Sequence, residues 1–262
     1  MAFKQFSTTS QRIGITERGD ASRDFSWLDK LDRVGGVVLI TKALTDKFCD
    51  TVLALEHEQP GHVIVHATCT GWGGSALEPR VPRYRDQLRR LSKLIADGFP
   101  AERCILRIDP IIPTSAGLDA VRHVLDYAAG DPNLAHLRVR ISVLDEYKHV
   151  KERLTAKGYS PFYPNGAFQA SPEQFDAVRR MLKQVHAEYG FRFETCAEPL
   201  LHGDGIVATG CIGQRELDLL GLHYNNKQTG FQRNACLCLG CKTELLENRR
   251  RCPNGCLYCY WR

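Results

Sequence analysis

Hydrophobic and polar positions along the chain alternate between two periods. Short apolar, β-branched runs occur at Arg12–Thr16, Val37–Thr41, Val63–Thr68, Cys104–Ile108, Val139–Leu144 and Phe191–Thr195. Between and after them lie stretches with helical spacing: Phe25–Leu31, Lys47–Leu55, Tyr84–Ile95, Leu118–Ala129, Tyr147–Lys157 and Pro172–Tyr189. In Tyr84–Ile95, Leu88, Leu91 and Ile95 share one face while Arg85, Arg89, Arg90 and Lys93 fall elsewhere, as expected of a surface helix. Ser171 before Pro172 reads as a cap followed by a proline in the first turn. Strands that alternate with helices predict parallel pairing through right-handed crossovers. The expected fold is α/β, a partial (β/α)6 TIM-like barrel over 1–195, with a doubly wound open sheet as the alternative. Residues 196–262 lose the alternation, so they are expected to form an irregular cysteine-rich extension, stapled by metal and packed over the barrel mouth, with one short helix near Arg215–Leu220. Tyr159–Gly166, with two prolines and a glycine, reads as a long surface loop.

Composition narrows the class. At 262 residues and 43% hydrophobic, the chain can bury one full core. It has no run of about 18 apolar residues, and its first ten residues lack the apolar centre of a signal peptide. A soluble, cytoplasmic protein with no membrane partner is therefore expected. The net charge of +5 is compatible with nucleic acid without requiring it.

In a (β/α) barrel the C-terminal strand ends face the active mouth. Here those ends carry Thr41 and Lys42, then His66 and Thr68, Arg107 and Asp109, Ser142 and Asp145, and Glu194 and Glu198 around Cys196. Any one of them can equally be a solvated strand end or an ion-pair member. Their recurrence at successive strands makes the set a candidate site. Trp72 in Thr-Gly-Trp-Gly-Gly serves either stacking on a ligand ring or packing, and Arg249-Arg250-Arg251 is either a phosphate contact or a solvated basic run.

The cysteines change the picture most. Cys49, Cys69 and Cys104 sit among apolar residues, whereas the other eight of the eleven lie from Cys196 onward. Without an export signal, clustered cysteines point to metal or redox chemistry rather than disulfides. Cys252, Cys256 and Cys259 have C-x3-C-x2-C spacing with Tyr258 before the last. Three thiolates in a short loop suit an iron–sulfur cluster with one iron left open. Of the remaining five, Cys196, Cys211, Cys236 and Cys238 are assigned to a second, closed site, with Cys241 spare or replacing one of them. That site can hold zinc or a second iron–sulfur cluster, and spacing does not choose between them.

With these residues in view, the chain resembles the radical S-adenosylmethionine enzymes, whose cluster motif is similar to Cys252-x3-Cys256-x-Tyr258-Cys259. More closely it resembles an uncharacterised bacterial family of radical-SAM-like proteins, distantly similar to spore photoproduct lyase and sometimes labelled DNA-repair photolyases. The matching stretches are Glu194-Thr-Cys196-Ala-Glu198, Arg107-Ile-Asp109-Pro110 and the terminal cysteine loop. The resemblance implies a [4Fe–4S] cluster on Cys252, Cys256 and Cys259, bound S-adenosylmethionine, and a 5′-deoxyadenosyl radical. It also implies the partial barrel, a flavodoxin- or ferredoxin-like reductant, and modification or repair of a nucleic acid or nucleotide. On this reading Tyr258, Thr41, Ser142 and Glu194 contact cofactor, and Lys42, Arg107, Asp109 and Glu198 handle substrate or protons. Radical SAM enzymes carry the motif after the first strand, so here the tail must fold back over the mouth. The competing expectations are a nucleic-acid-binding protein with structural metal sites and an iron–sulfur electron carrier or activator.

Overall fold

A computed structural model describes residues 3–163, 166–225, 235–247 and 252–261. Eight parallel strands form one sheet: β1 (Ile13–Ile15), β2 (Gly36–Thr41), β3 (Val63–Thr68), β4 (Cys104–Ile111), β5 (Arg138–Val143), β6 (Arg192–Thr195), β7 (Ile206–Ala208) and β8 (Lys242–Glu244). Their order is β7-β6-β5-β4-β3-β2-β1-β8. From β1 to β7 the sheet grows in one direction without the reversal of a doubly wound sheet. Among the described residues β7 and β8 do not pair, so the sheet is open, and closure into a barrel is not observed. Among the described residues eight strands replace the six expected, and the two extra come from the stretch expected to be irregular. β8 pairs with β1 across more than 220 residues, Ile13 opposite Lys242, which ties the extension into the sheet.

The middle strands are buried on both faces, which is why they read as continuous apolar runs. Their side chains still alternate. Val37, Leu39, Val63, Val65, Leu106, Val139 and Phe193 face an outer layer of helices. That layer is α1 (Asp46–Glu58), α2 (Tyr84–Ala96), α3 (Ser115–Ala129) and α5 (Pro172–Tyr189), packed in sequence. Caps explain three of their starts: Thr45 and Thr114 accept from the backbone of the first turn, and Ser171 forms a capping box with Gln174. Gly190, at φ +76°, ends α5 in a left-handed turn. The predicted helix at Phe25–Leu31 is instead a 3-10 segment, Ser26–Arg33.

The opposite, inner face is filled by the extension. Ile13, Ile15, Val38, Ile40, Ile64 and Ile105 pack against Ile212, Leu217, Leu220, Leu222 and the cysteines 211, 236, 238 and 241. Leu217 belongs to α6 (Gln214–Leu219). The extension therefore covers the inner face as well as reaching the strand ends. α4 (Lys148–Thr155) leaves the outer layer, and its Val150 and Leu154 pack with Tyr163, Cys256 and Tyr258. Tyr163, in the stretch expected to be a surface loop, is buried, and its hydroxyl donates to the Leu144 carbonyl.

Candidate metal centres

Two groups of cysteines occupy different levels of the inner face. The deeper one is built on chain crossings. Cys196 follows β6, Cys211 follows β7, and Cys236 and Cys238 lie on the segment that leads into β8. The sulphurs of Cys196, Cys211 and Cys238 all lie within 4.8 Å of one another, and that of Cys236 is in hydrogen-bond contact with Cys196 and Cys238. The Cys211 N–H donates to Cys238 Sγ at 3.2 Å. Gly210 makes this approach possible: a Cβ there would stand 2.6 Å from the Leu237 carbonyl oxygen and 2.8 Å from the Cys238 backbone. Cys241 stays apart, buried in the apolar cluster with its thiol pushed up by burial.

Hydrogen bonds from Cys196 and Cys238 hold the Cys211 thiol well below its ordinary range, and Arg107 and Arg140 add to the effect. The same crowding pushes Cys196 and Cys238 up. Negative charge in so tight a group is favoured at Cys211 and opposed at its neighbours, and a bound cation would offset further thiolates.

Beneath this group lies a buried ionic network. Arg138 donates to both Glu194 oxygens at 2.7 and 2.9 Å and to Glu216 at 2.8 Å. Arg140 donates to Glu194 at 2.7 Å, to Glu216 at 3.1 Å and to the Cys211 carbonyl at 3.1 Å. Glu216 is fully buried and also caps α6 through the Gly213 N–H. Glu194, expected to touch cofactor, is instead spent on this network and lines neither cavity described here. Register explains its depth, since Glu194 stands opposite Arg140, two residues below Cys196. Glu198 is likewise turned inward and accepts from the Val143 N–H at 3.1 Å.

The second group lies at the C-terminal strand ends. The terminal loop is held there at several points. Asn254 donates to Asp20 at 2.6 Å, Leu257 N–H to the Leu77 carbonyl at 2.9 Å, and Arg153 to the carbonyls of Leu257 and Cys259. His149 Nε2 and the Tyr260 carbonyl are 3.1 Å apart. Cys252, Cys256, Cys259 and Tyr258 share the lining of a cavity of about 120 Å³ with Thr41, Lys42, Arg107, Asp109, Asp20 and Asn254. Lys42 Nζ donates to Glu78 at 2.9 Å, to the Asp109 carbonyl at 3.0 Å and to the Tyr258 hydroxyl at 3.0 Å; that hydroxyl also donates to Glu78. Burial works against the Lys42 charge, yet Glu78, Cys256 and Asp109 outweigh it and hold its pKa above the ordinary value. Burial pushes the Cys256 thiol up to about 12, with Lys42 opposing.

A smaller cavity of about 40 Å³ borders the deeper cysteines and Ser142. Glu17, Arg107, Asp109 and Tyr260 line both cavities, so one wall separates the two cysteine groups. Within it Arg107 pairs with Asp109, which accepts from the Ser142 hydroxyl. Asp20, Glu78 and Asn254 escaped the sequence reading because they lie on loops, outside any strand period. Trp72 packs against the apolar cluster of Leu77 and Val81. Arg249–Arg251 lie outside the described residues.

Residues 25–261 match the family model described as "Domain of unknown function (DUF1848)". The chain belongs to that family. A search of curated proteins finds no match. Among solved structures, a DUF72 family protein from Thermotoga maritima is similar at 10% identity over 80% of this chain and 96% of that one, with a TM-score of 0.31. A superposition that loose carries no argument about fold or function. No helix among the described residues is long and apolar enough to cross a membrane. The DUF1848 family is an uncharacterised one, and its model does not show the expected likeness to radical SAM enzymes or photolyases.

Proposed function

We propose that this protein is an iron–sulfur enzyme of radical SAM type whose two cysteine groups hold different metals. One observation carries the reading: three cysteines and a tyrosine of one loop line one cavity beside a half-buried lysine at the strand ends. The donor set suits an open cluster, because three thiols share one cavity wall and the Lys42 ammonium opposes the burial that keeps the Cys256 thiol protonated. When bound there, such a cluster supplies the electron for reductive cleavage of S-adenosylmethionine, delivered by a flavodoxin- or ferredoxin-like reductant. The chain's own residues would do the rest. Lys42 holds Tyr258 and Glu78 in place, Thr41 and Asp20 brace the loop, and Arg107 and Asp109 present charge to the substrate. The substrate class in this reading is a nucleic acid or nucleotide, and the open sheet plays the part of a partial barrel.

The deeper group favours a single ion. Around one tetrahedral ion, thiolates at about 2.3 Å stand about 3.8 Å apart. A four-iron cluster spreads its ligands wider, since each thiolate takes its own iron. The sulphurs of Cys196, Cys211 and Cys238, within 4.8 Å of one another, match the compact case. Anaerobic reconstitution, metal and sulfide analysis, and incubation with dithionite and S-adenosylmethionine test the whole reading. The expected result is a brown protein that releases 5′-deoxyadenosine, with release lost in Cys256→Ala. A colourless protein with zinc at both sites would overturn it in favour of a nucleic-acid-binding protein with structural metals.

A further inference from the structure

Asn254 lies inside the Cys252–Cys256 loop and is 2% exposed. Its Nδ2 donates to Asp20 Oδ2 at 2.6 Å. That contact fixes the orientation of the amide, because a carboxylate only accepts. Its Oδ1 is buried with no hydrogen-bond partner, and the residue lines the cavity. A buried amide carbonyl left in that state is costly, and such atoms in native proteins mark a missing ligand or water.

Asp20 cannot turn to serve a ligand in its place. Its Oδ1 accepts from the Ser22 N–H and the Thr41 hydroxyl, and its Oδ2 from the Lys42 N–H and Asn254. Those four bonds take up the four or so lone-pair directions of a carboxylate. Donation into that anion polarises the Asn254 amide and makes its carbonyl a stronger acceptor. The same cavity carries the carboxylates of Glu17, Asp20, Asp109 and Asp145 beside Lys42 and Arg107. An unpartnered acceptor in an acid-rich cavity that also holds two cationic side chains complements a ligand with an amine and a carboxylate.

We propose that Asn254 Oδ1 is the amine-recognising atom of this cavity, for a small zwitterionic ligand of α-amino-acid type. The assignment rests on the functional reading above for where the ligand binds, and its test does not depend on radical chemistry. S-adenosylhomocysteine carries the amino-acid end, whereas 5′-methylthioadenosine lacks it. Both are titrated calorimetrically into anaerobically reconstituted wild type and Asn254→Leu, with metal content and melting temperature recorded for each protein.

Loss of one hydrogen bond to a charged group weakens binding roughly ten- to a hundredfold. S-adenosylhomocysteine should lose that much in Asn254→Leu while 5′-methylthioadenosine is unchanged. An equal loss for both ligands would make Asn254 a loop anchor only, and no loss for either would leave it idle; both outcomes overturn the proposal, as does wild type that binds neither. If 5′-deoxyadenosine never forms but the selective loss appears, the radical reading fails and the amine site stands.

Discussion

The two cysteine groups differ in what holds them together. The deeper group draws its ligands from three separate segments, crossed at Gly210 and seated on a buried Arg–Glu network. The terminal group comes from one loop, pinned by Asp20, Leu77, His149 and Arg153 through bonds that do not involve its sulphurs. The first is therefore part of the fold, and a metal there contributes to folding itself. The second is mounted on a fold that is already complete, and its cavity remains available for a ligand.

The largest effect should come from setting Cys211→Ala against Cys256→Ala. In the proposed reading a structural metal site contributes on the order of 10 kcal/mol to folding, so Cys211→Ala should unfold or aggregate and retain no metal there. Cys256→Ala should keep its melting temperature within a few degrees and lose only the terminal group. Calorimetric scans with metal analysis distinguish them, and equal destabilisation would erase the contrast.

Next in size is Glu216→Gln. It leaves Arg138 and Arg140 short of a buried partner, at a cost of about 3–5 kcal/mol. Urea titration should show that loss together with weaker metal retention at the deeper site, while the terminal group is unchanged.

The smallest effect is a pH slope. His66 is fully buried on the inner face, with neither ring nitrogen hydrogen-bonded. Burial, with Arg140 and Arg107 beside it, holds its pKa well below 6.5. The unfolded chain then binds a proton that the folded chain refuses, so stability falls as pH drops below 6.5, by about 1.4 kcal/mol per unit. His66→Phe should flatten that slope in urea titrations from pH 7 to 5.5. An unchanged slope would assign the acid sensitivity elsewhere.

Much of the fold was legible from pattern. β2 to β6 announce themselves as apolar runs because both of their faces are buried, and α5 does so through its cap and period. β7 and β8, three residues each, carry too little pattern to be seen. In the site, position at the C-terminal strand ends marked Arg107, Asp109 and Glu194 as candidates. It carried no information about depth, and Glu194 lies at the floor beside Arg140 rather than at the mouth.

The sequence by itself determined the chemistry available: eight cysteines in one quarter of the chain, a three-cysteine loop, and charged residues at period two along apolar strands. These are local properties, written in spacing and composition. Only the tertiary structure decided which sulphurs converge, which carboxylates are already spent on arginines, and that Asp20, Glu78 and Asn254 meet at one cavity. Those outcomes depend on contacts between residues up to 234 positions apart. Strand register and a glycine crossing set such contacts, and no short-range pattern encodes them.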